Sequence, residues 1–356
     1  MTDGLAIIAR CDQGGLATQT CDYVKHLRPE WVVAMDLGQA GRGTFDVERL
    51  GDLDGAATIR VVRGTEMGLR DIVWLLSRAR TVFSAETFYH PQFCEAANEA
   101  GVRTILHTNP ELHTPDRDGA SVILNPSPYM TERFPNLLPV PVPAFRPRHT
   151  PTRPRVFMHP TAPASNDRNG TNIVLEALQF IEHDIEVRII GSRPRHFPTR
   201  REMRPKVVWM PSVKEWWEAY EGVDVLVLPR RYAGLSLSCQ EAAAFSIPSI
   251  TLNVEPFSRG YCATTRVGTA GSRRIHMAGG PTPVHEANGA ALAMAINAMV
   301  DNPQAYQQAV VATARWAAQN TWEKLLPSYL DVILSRGQAT THKENQPMRN
   351  AAVKHT

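Results

Sequence analysis

The chain has 356 residues, 43% of them hydrophobic and 21% charged, with a net charge of +3. That length holds two ordinary domains, each with its own core. The charge excludes a general polycation, so any attraction for phosphate must come from local patches.

Five cysteines (Cys11, Cys21, Cys94, Cys239, Cys262) are odd in number and lack C-x-x-C spacing. They read as reduced thiols of a cytoplasmic protein. The apolar run from Leu5 to Ala9 is too short for a signal core and follows no basic segment. No apolar stretch reaches membrane-spanning length. The expectation is a cytoplasmic protein without a membrane span.

In chain order, Leu5–Arg10, Trp31–Asp36, Thr81–Ala85, Arg103–His107 and Ser121–Leu124 read as strands. Gly15–Leu27, Gly68–Arg78 and Pro91–Ala100 read as helices between them. Such alternation builds a parallel sheet from βαβ units. The Pro/Arg-rich stretch Pro139–Pro154 disfavours helix and internal strand and reads as a linker. Strands then recur at Arg155–His159, Glu186–Gly191, Lys206–Met210, Asp224–Pro229 and Pro248–Leu252. Helical patterns recur at Thr171–Ile181, Lys214–Glu221, Ser236–Phe245, Ala287–Val300, Pro303–Gln319 and Trp322–Leu334. The tail 337–356 is polar and aperiodic, and is expected to be disordered.

This predicts an α/β chain of two Rossmann-like, doubly wound domains facing a cleft. The N-terminal one spans 1–145 and the C-terminal one 146–302. Terminal helices over 303–336 pack back on the first domain through Trp316, Trp322, Leu325, Leu326 and Tyr329. Ligands of such sheets lie at the carboxyl ends of strands.

Three constellations sit at those ends. Asp12-Gln13-Gly14-Gly15 follows the first strand and opens a helix, where free N–H groups face an anion or a sugar. It lacks G-x-G-x-x-G, which argues against a dehydrogenase. Asp167-Arg168-Asn169-Gly170-Thr171 has a capping residue and an arginine fork suited to phosphate oxygens. The third, Leu228 to Ala242, runs from a buried strand through Arg230, Arg231, Gly234 and Leu235 into a helix carrying Glu241. Arginines beside a helix start suit a diphosphate, and a carboxylate one turn in suits paired hydroxyls.

The order of these motifs resembles GT-B-fold glycosyltransferases like those of glycosyltransferase family 4. The likeness is closest to a branch frequent in bacteriophages and actinobacteria, with an R-R-Y-G-G-L-x-L-P-x-x-E-A pattern. Ala17, Ala233 and Phe245-Ser246 depart from it, and the first acid of the two-glutamate motif has no counterpart. The resemblance implies a metal-independent, retaining transfer of a hexose-type sugar, with the nucleotide-diphosphate sugar as co-substrate and no other cofactor. It implies donor contacts from Gly14, Gly15, Arg168, Asn169, Gly170, Arg230, Arg231, Gly234, Leu235 and Glu241. It also implies an acceptor side with Glu86, Tyr89 and Asn109, with Glu86 and His107 as catalytic candidates. The nucleotide base is expected near Val208–Val213. The acceptor would be a protein, a glycan or a modified phage DNA base, and a phage enzyme would work in the host cytoplasm. Arginine clusters at Arg146–Arg155 and Arg193–Lys206 bear on the nucleic-acid acceptor. The competing readings are a nucleotide-sugar epimerase and a non-catalytic nucleotide- or sugar-binding protein.

Overall fold

The computed structural model describes residues 2–12, 14–40, 44–51, 57–109, 117–144, 146–148, 150–161, 167–191, 203–211, 213, 215–232, 234–277 and 280–335. The expected disordered tail and most of the second arginine cluster lie outside them.

The first half forms a six-stranded parallel sheet of β1 (Thr2–Arg10), β2 (Pro29–Asp36), β3 (Thr58–Arg63), β4 (Thr81–Ala85), β5 (Arg103–His107) and β6 (Val122–Leu124). Their spatial order is β3-β2-β1-β4-β5-β6. The second sheet has β7 (Val156–Pro160), β8 (Glu186–Ile190), β9 (Lys206–Met210), β10 (Val225–Leu228), β11 (Ser249–Leu252) and β12 (Thr265–Val267), in the order β12-β11-β10-β7-β8-β9. Counted from its own first strand, each sheet has the doubly wound order 3-2-1-4-5-6. The direction of winding reverses between β1 and β4 in one, and between β7 and β10 in the other. The three sequence motifs and Glu86 all follow one of these four strands.

The central strands read as unbroken apolar runs because both their faces are covered. Leu5, Ile7 and Ala9 face one core and Ala6 and Ile8 the other, and all are essentially inaccessible. Helices α1 (Gly15–Leu27), α2 (Leu69–Leu76) and α3 (Phe93–Glu99) cover the first sheet; α4 (Thr171–Ala177), α5 (Leu237–Ala244) and α6 (Gly289–Asp301) flank the second. Helix α7 (Pro303–Gln319) stays with the second half: Tyr306 and Val310 join its core, and Trp316 packs edge-on to Tyr261 at 5.4 Å. Helix α8 (Trp322–Leu334) crosses back, burying Trp322, Tyr329 and Ile333 in the first core, with Leu325 and Leu326 packed alongside. The expected return contact is therefore made by all the named residues except Trp316, which belongs to the preceding helix.

Four expectations need correction. The short edge strand β12 was not foreseen, and neither was β3. As an edge strand β3 leaves Ile59 and Val61 40–46% exposed, and its run is broken by arginines. An antiparallel hairpin of β13 (Gly271–Met277) and β14 (Gly280–Glu286) was also missed, because Pro281 and Pro283 argue against a strand. Lys214–Glu221 was expected to be a helix. A short 3-10 turn over Trp216–Tyr220 stands there instead, closed at its start by a reciprocal Glu215–Glu218 capping box. No helix among the described residues is long and apolar enough to cross a membrane.

Candidate functional site

At the carboxyl end of β1 the backbone turns through Gly14 (φ 110°) into α1. Gly15 faces the other half directly. A Cβ there would lie 2.5 Å from the Leu237 Cδ1 methyl and 3.6–3.8 Å from the rest of that side chain, so the start of α1 is in direct contact with α5. Asp12 is buried and accepts from Arg10 Nε at 2.8 Å, while Arg49 donates to the Asp12 carbonyl. Burial alone would lower the Arg10 pKa, but the Asp12 hydrogen bond and the nearby Tyr89 and Glu86 outweigh it and raise it. Arg10 thus stays charged among acidic and phenolic groups at the cleft wall. The sequence reading missed it; its signal was a lone arginine ending an apolar strand directly before the glycine motif.

Glu86 (φ 65°) and Tyr89 (φ 59°) follow β4 in left-handed backbone, a strained state for side-chain-bearing residues. The Glu86 amide donates to the His107 carbonyl at 3.0 Å, and its Oε1 accepts from Asn109 Nδ2 at 2.9 Å. Glu86 and Asn109 are therefore bonded to each other after β4 and β5, and Tyr89 and Glu86 both lie near Arg10. The ring of His107 does not join them. It is 1% exposed, with Nδ1 2.7 Å from the Tyr23 hydroxyl and Tyr329 close by. Burial drives its pKa down to about 3, so it is a neutral core group at neutral pH. His107→Ala is expected to cost about 3 kcal/mol of stability, read by urea unfolding. Loss of turnover without loss of stability would instead place it in the chemistry.

Across the cleft, Asp167 caps α4 by accepting from the amides of Thr171 (2.7 Å) and Asn172 (3.1 Å). Asn169 donates to the Pro160 carbonyl at 2.8 Å and ties this loop to β7. Arg168 lies over the Tyr232 ring at 5.1 Å, and its carbonyl accepts from the Arg231 amide at 2.9 Å. The second and third motifs are thus laced into one surface. Beneath them His159 bridges the Val227 carbonyl and the Thr171 hydroxyl, and burial lowers its pKa to about 4.

Arg230 and Arg231 are each only 8% exposed. Arg230 Nε donates to the Tyr232 carbonyl at 3.1 Å. Arg231 pairs with Glu286 and donates to the His285 carbonyl at 3.2 Å, so the unforeseen hairpin locks the turn that follows β10. Glu286→Ala leaves a mostly buried guanidinium without its carboxylate. Faster proteolytic cutting within 271–286 is the expected readout; unchanged cutting would show that the pair does not hold the hairpin. Gly234 (φ 135°) completes the turn, and the Leu235 amide donates to Asn109 Oδ1 at 3.1 Å, from one half of the molecule to the other.

Glu241, on α5, accepts from the Tyr220 hydroxyl at 2.8 Å. It lines a small recess with Gln19, Asp22 and Tyr23 of α1, Pro141 of the linker and Trp322. Burial raises the Glu241 carboxyl to about 7 and that of Asp22 to about 6, and each acid sits in a space walled partly by aromatic rings. Of the expected base-binding segment, the described residues at 208–211 end β9 at the rim of the second sheet.

Residues 161–302 match the family described as glycosyl transferases group 1. No curated protein sequence matches the chain. Among solved structures, it is similar to the apo form of the lipopolysaccharide outer core galactosyltransferase WaaB at 12% identity and a TM-score of 0.59, over 93% of this chain and 99% of that one. It is similar to Anabaena Alr3699/HepE in complex with UDP at 10% identity and a TM-score of 0.62, over 92% and 98%. Sucrose-phosphate synthase from Thermosynechococcus elongatus gives 13% identity and a TM-score of 0.58, over 93% and 98%. Residues 161–302 therefore match the glycosyl transferases group 1 family, within an α/β chain of GT-B fold whose two Rossmann-like sheets lie between Thr2 and Val267.

Proposed function

We propose that the chain is a glycosyltransferase that moves a hexose-type sugar from a nucleoside-diphosphate sugar to an acceptor, with retention and without a metal. The observation that carries this reading is the approach of two switch points. The Gly14-Gly15 start of α1 meets the Arg230–Leu235 turn that opens α5, with Gly15 against Leu237. Helix starts and arginines on both sides of one groove suit a diphosphate. The group 1 match covers the half that holds this turn, and one similar structure contains UDP.

In this reading Arg168, Arg230 and Arg231 neutralise charge on the departing diphosphate. Arg230 and Arg231 are already fixed by their own loop and the hairpin, so little reorganisation is needed as that charge develops. Gly234 and Leu235 offer backbone N–H groups. Asn169 and Gly170 shape the loop that carries Arg168, and Gly14 and Gly15 close over the diphosphate. Glu241 holds donor hydroxyls. Glu86, Tyr89 and Asn109 face the acceptor, which is a protein, a glycan or a modified DNA base. For retention, the departing phosphate oxygen accepts the acceptor's proton on the same face, so no side chain is assigned as general base.

A thermal-shift panel of UDP, GDP, ADP and dTDP with their sugar forms tests the reading. Binding to the folded state raises the melting temperature by mass action. At least one nucleotide is expected to shift it, and Arg168→Ala to weaken that binding about tenfold or more. No shift with any nucleotide would remove the donor site, and an unchanged Arg168→Ala would remove that residue from it.

A further inference from the structure

Asn109 is one of the side chains that join the two halves. Asn109 Oδ1 accepts from the Leu235 amide at 3.1 Å, and its Nδ2 donates to Glu86 Oε1 at 2.9 Å. The orientation of this amide is fixed by its neighbours. Reversed, it would set NH₂ against N–H and carbonyl against carboxylate, and both contacts would be lost. Glu86 is held in left-handed backbone that the surrounding structure enforces, so it forms the fixed end of the chain.

Leu235 stands in the turn that opens α5 and is 7% exposed. Its single N–H cannot serve Asn109 and a phosphate oxygen together. A charged oxygen is the stronger acceptor. We propose that Asn109 is a donor-displaced latch: it occupies the Leu235 N–H across the cleft, and a nucleoside diphosphate takes that N–H and releases it. Still held by Glu86 through Nδ2, the freed Oδ1 then accepts from a hydroxyl of the sugar acceptor. Asn109 is thus a positioning residue that makes acceptor binding respond to an occupied donor site. The proposal rests on the donor-site reading above.

The test is backbone amide exchange at Leu235, with titration of UDP, GDP, ADP and dTDP, in the full chain. In the unmodified protein the amide is protected without nucleotide. Asn109→Ala is expected to speed its exchange about tenfold, the nucleotide that binds to restore protection, and affinity for that nucleotide to rise about threefold, the worth of one net hydrogen bond. Asn109→Asp, nearly the same shape, keeps an acceptor for Leu235 but adds negative charge; it is made together with Glu86→Gln, whose amide donates to the second aspartate oxygen where the Glu86 carboxylate would repel it. It is expected to hold the amide protected and to weaken nucleotide binding about tenfold. Opposite effects of the two variants mark a competing latch. A structural role would weaken binding in both, and that result overturns the proposal, as does Leu235 exchange that is unaltered in Asn109→Ala or that bound nucleotide fails to slow. If none of UDP, GDP, ADP and dTDP binds the unmodified protein, the donor-site reading falls and the latch falls with it; if one of them binds and only the variants fail, the latch falls alone.

Discussion

Glu241→Gln is expected to stabilise the protein at pH 8 by up to about 3 kcal/mol while weakening nucleotide binding. The carboxyl titrates near 7 because it is buried, and the charge of Asp22 across the recess pushes the same way. The folded state therefore holds a proton that the unfolded chain gives up near 4.5. Stability from this group is complete below about 4.5 and is lost as pH rises to about 7. Asp22 adds a parallel loss from its ordinary 3.8 up to about 6. Glutamine keeps an oxygen for the Tyr220 hydroxyl and has no charge to desolvate. The stability of Glu241→Gln should then be flatter with pH, and should meet the unmodified protein near pH 4. Urea unfolding at pH 5 and pH 8 measures the difference. Nucleotide affinity should move the other way: it should rise with pH through 7 in the unmodified protein and stay level in the variant. A variant less stable at pH 8 would show that Glu241 is an ionised, well-paired group and that the recess is not a strained site. Keeping a destabilising carboxylate where a glutamine fits better is expected of a residue retained for binding.

Much of this site could be read in the sequence because its parts are local. A buried parallel strand declares itself as an apolar run, and the residues just after β1, β4, β7 and β10 must lie at its carboxyl end. Asp12, Gly14, Asp167–Gly170, Arg230 and Arg231 follow by that rule and Glu86 by the resemblance, and each lies in the segment after one of those four strands. What escaped was set by contacts distant in the chain. His107 ends its strand like a cleft residue, but α8, arriving more than 200 positions later, seals it beneath Tyr329. Arg231 reads as a free cation beside a helix start; its partner Glu286 stands 55 positions on, in a hairpin whose prolines hide the strand. Edge strand β3 lacks an apolar run because one side of it meets solvent. Short-range pattern thus placed these residues at strand ends, and long-range packing decided which of them are held.

Gly170→Ala is expected to be the most damaging single-atom-scale change on the donor side, and Gly101→Ala supplies its control. Both glycines have left-handed backbone, with φ 74° and φ 70°. Both substitutions therefore meet the same dihedral cost, about 1–2 kcal/mol. Around Gly101 a new Cβ would find nothing within 4 Å. At Gly170 it would lie 2.3 Å from the Pro229 carbonyl oxygen and 2.9 Å from Pro229 Cγ. That oxygen is backbone, directly before Arg230, and cannot rotate away. Relief requires moving the 167–171 loop off the 229–235 turn, which breaks the bond from the Arg231 amide to the Arg168 carbonyl. Gly170→Ala should cost about 3 kcal/mol or more, against about 1 kcal/mol for Gly101→Ala, both read by urea unfolding. Only Gly170→Ala should also lose nucleotide binding in the protein that remains folded, because Arg168 and the turn would no longer share one surface. Equal costs at the two positions would mean that the loops are free to part, and the diphosphate groove would then have to be assembled by the ligand and not by the fold.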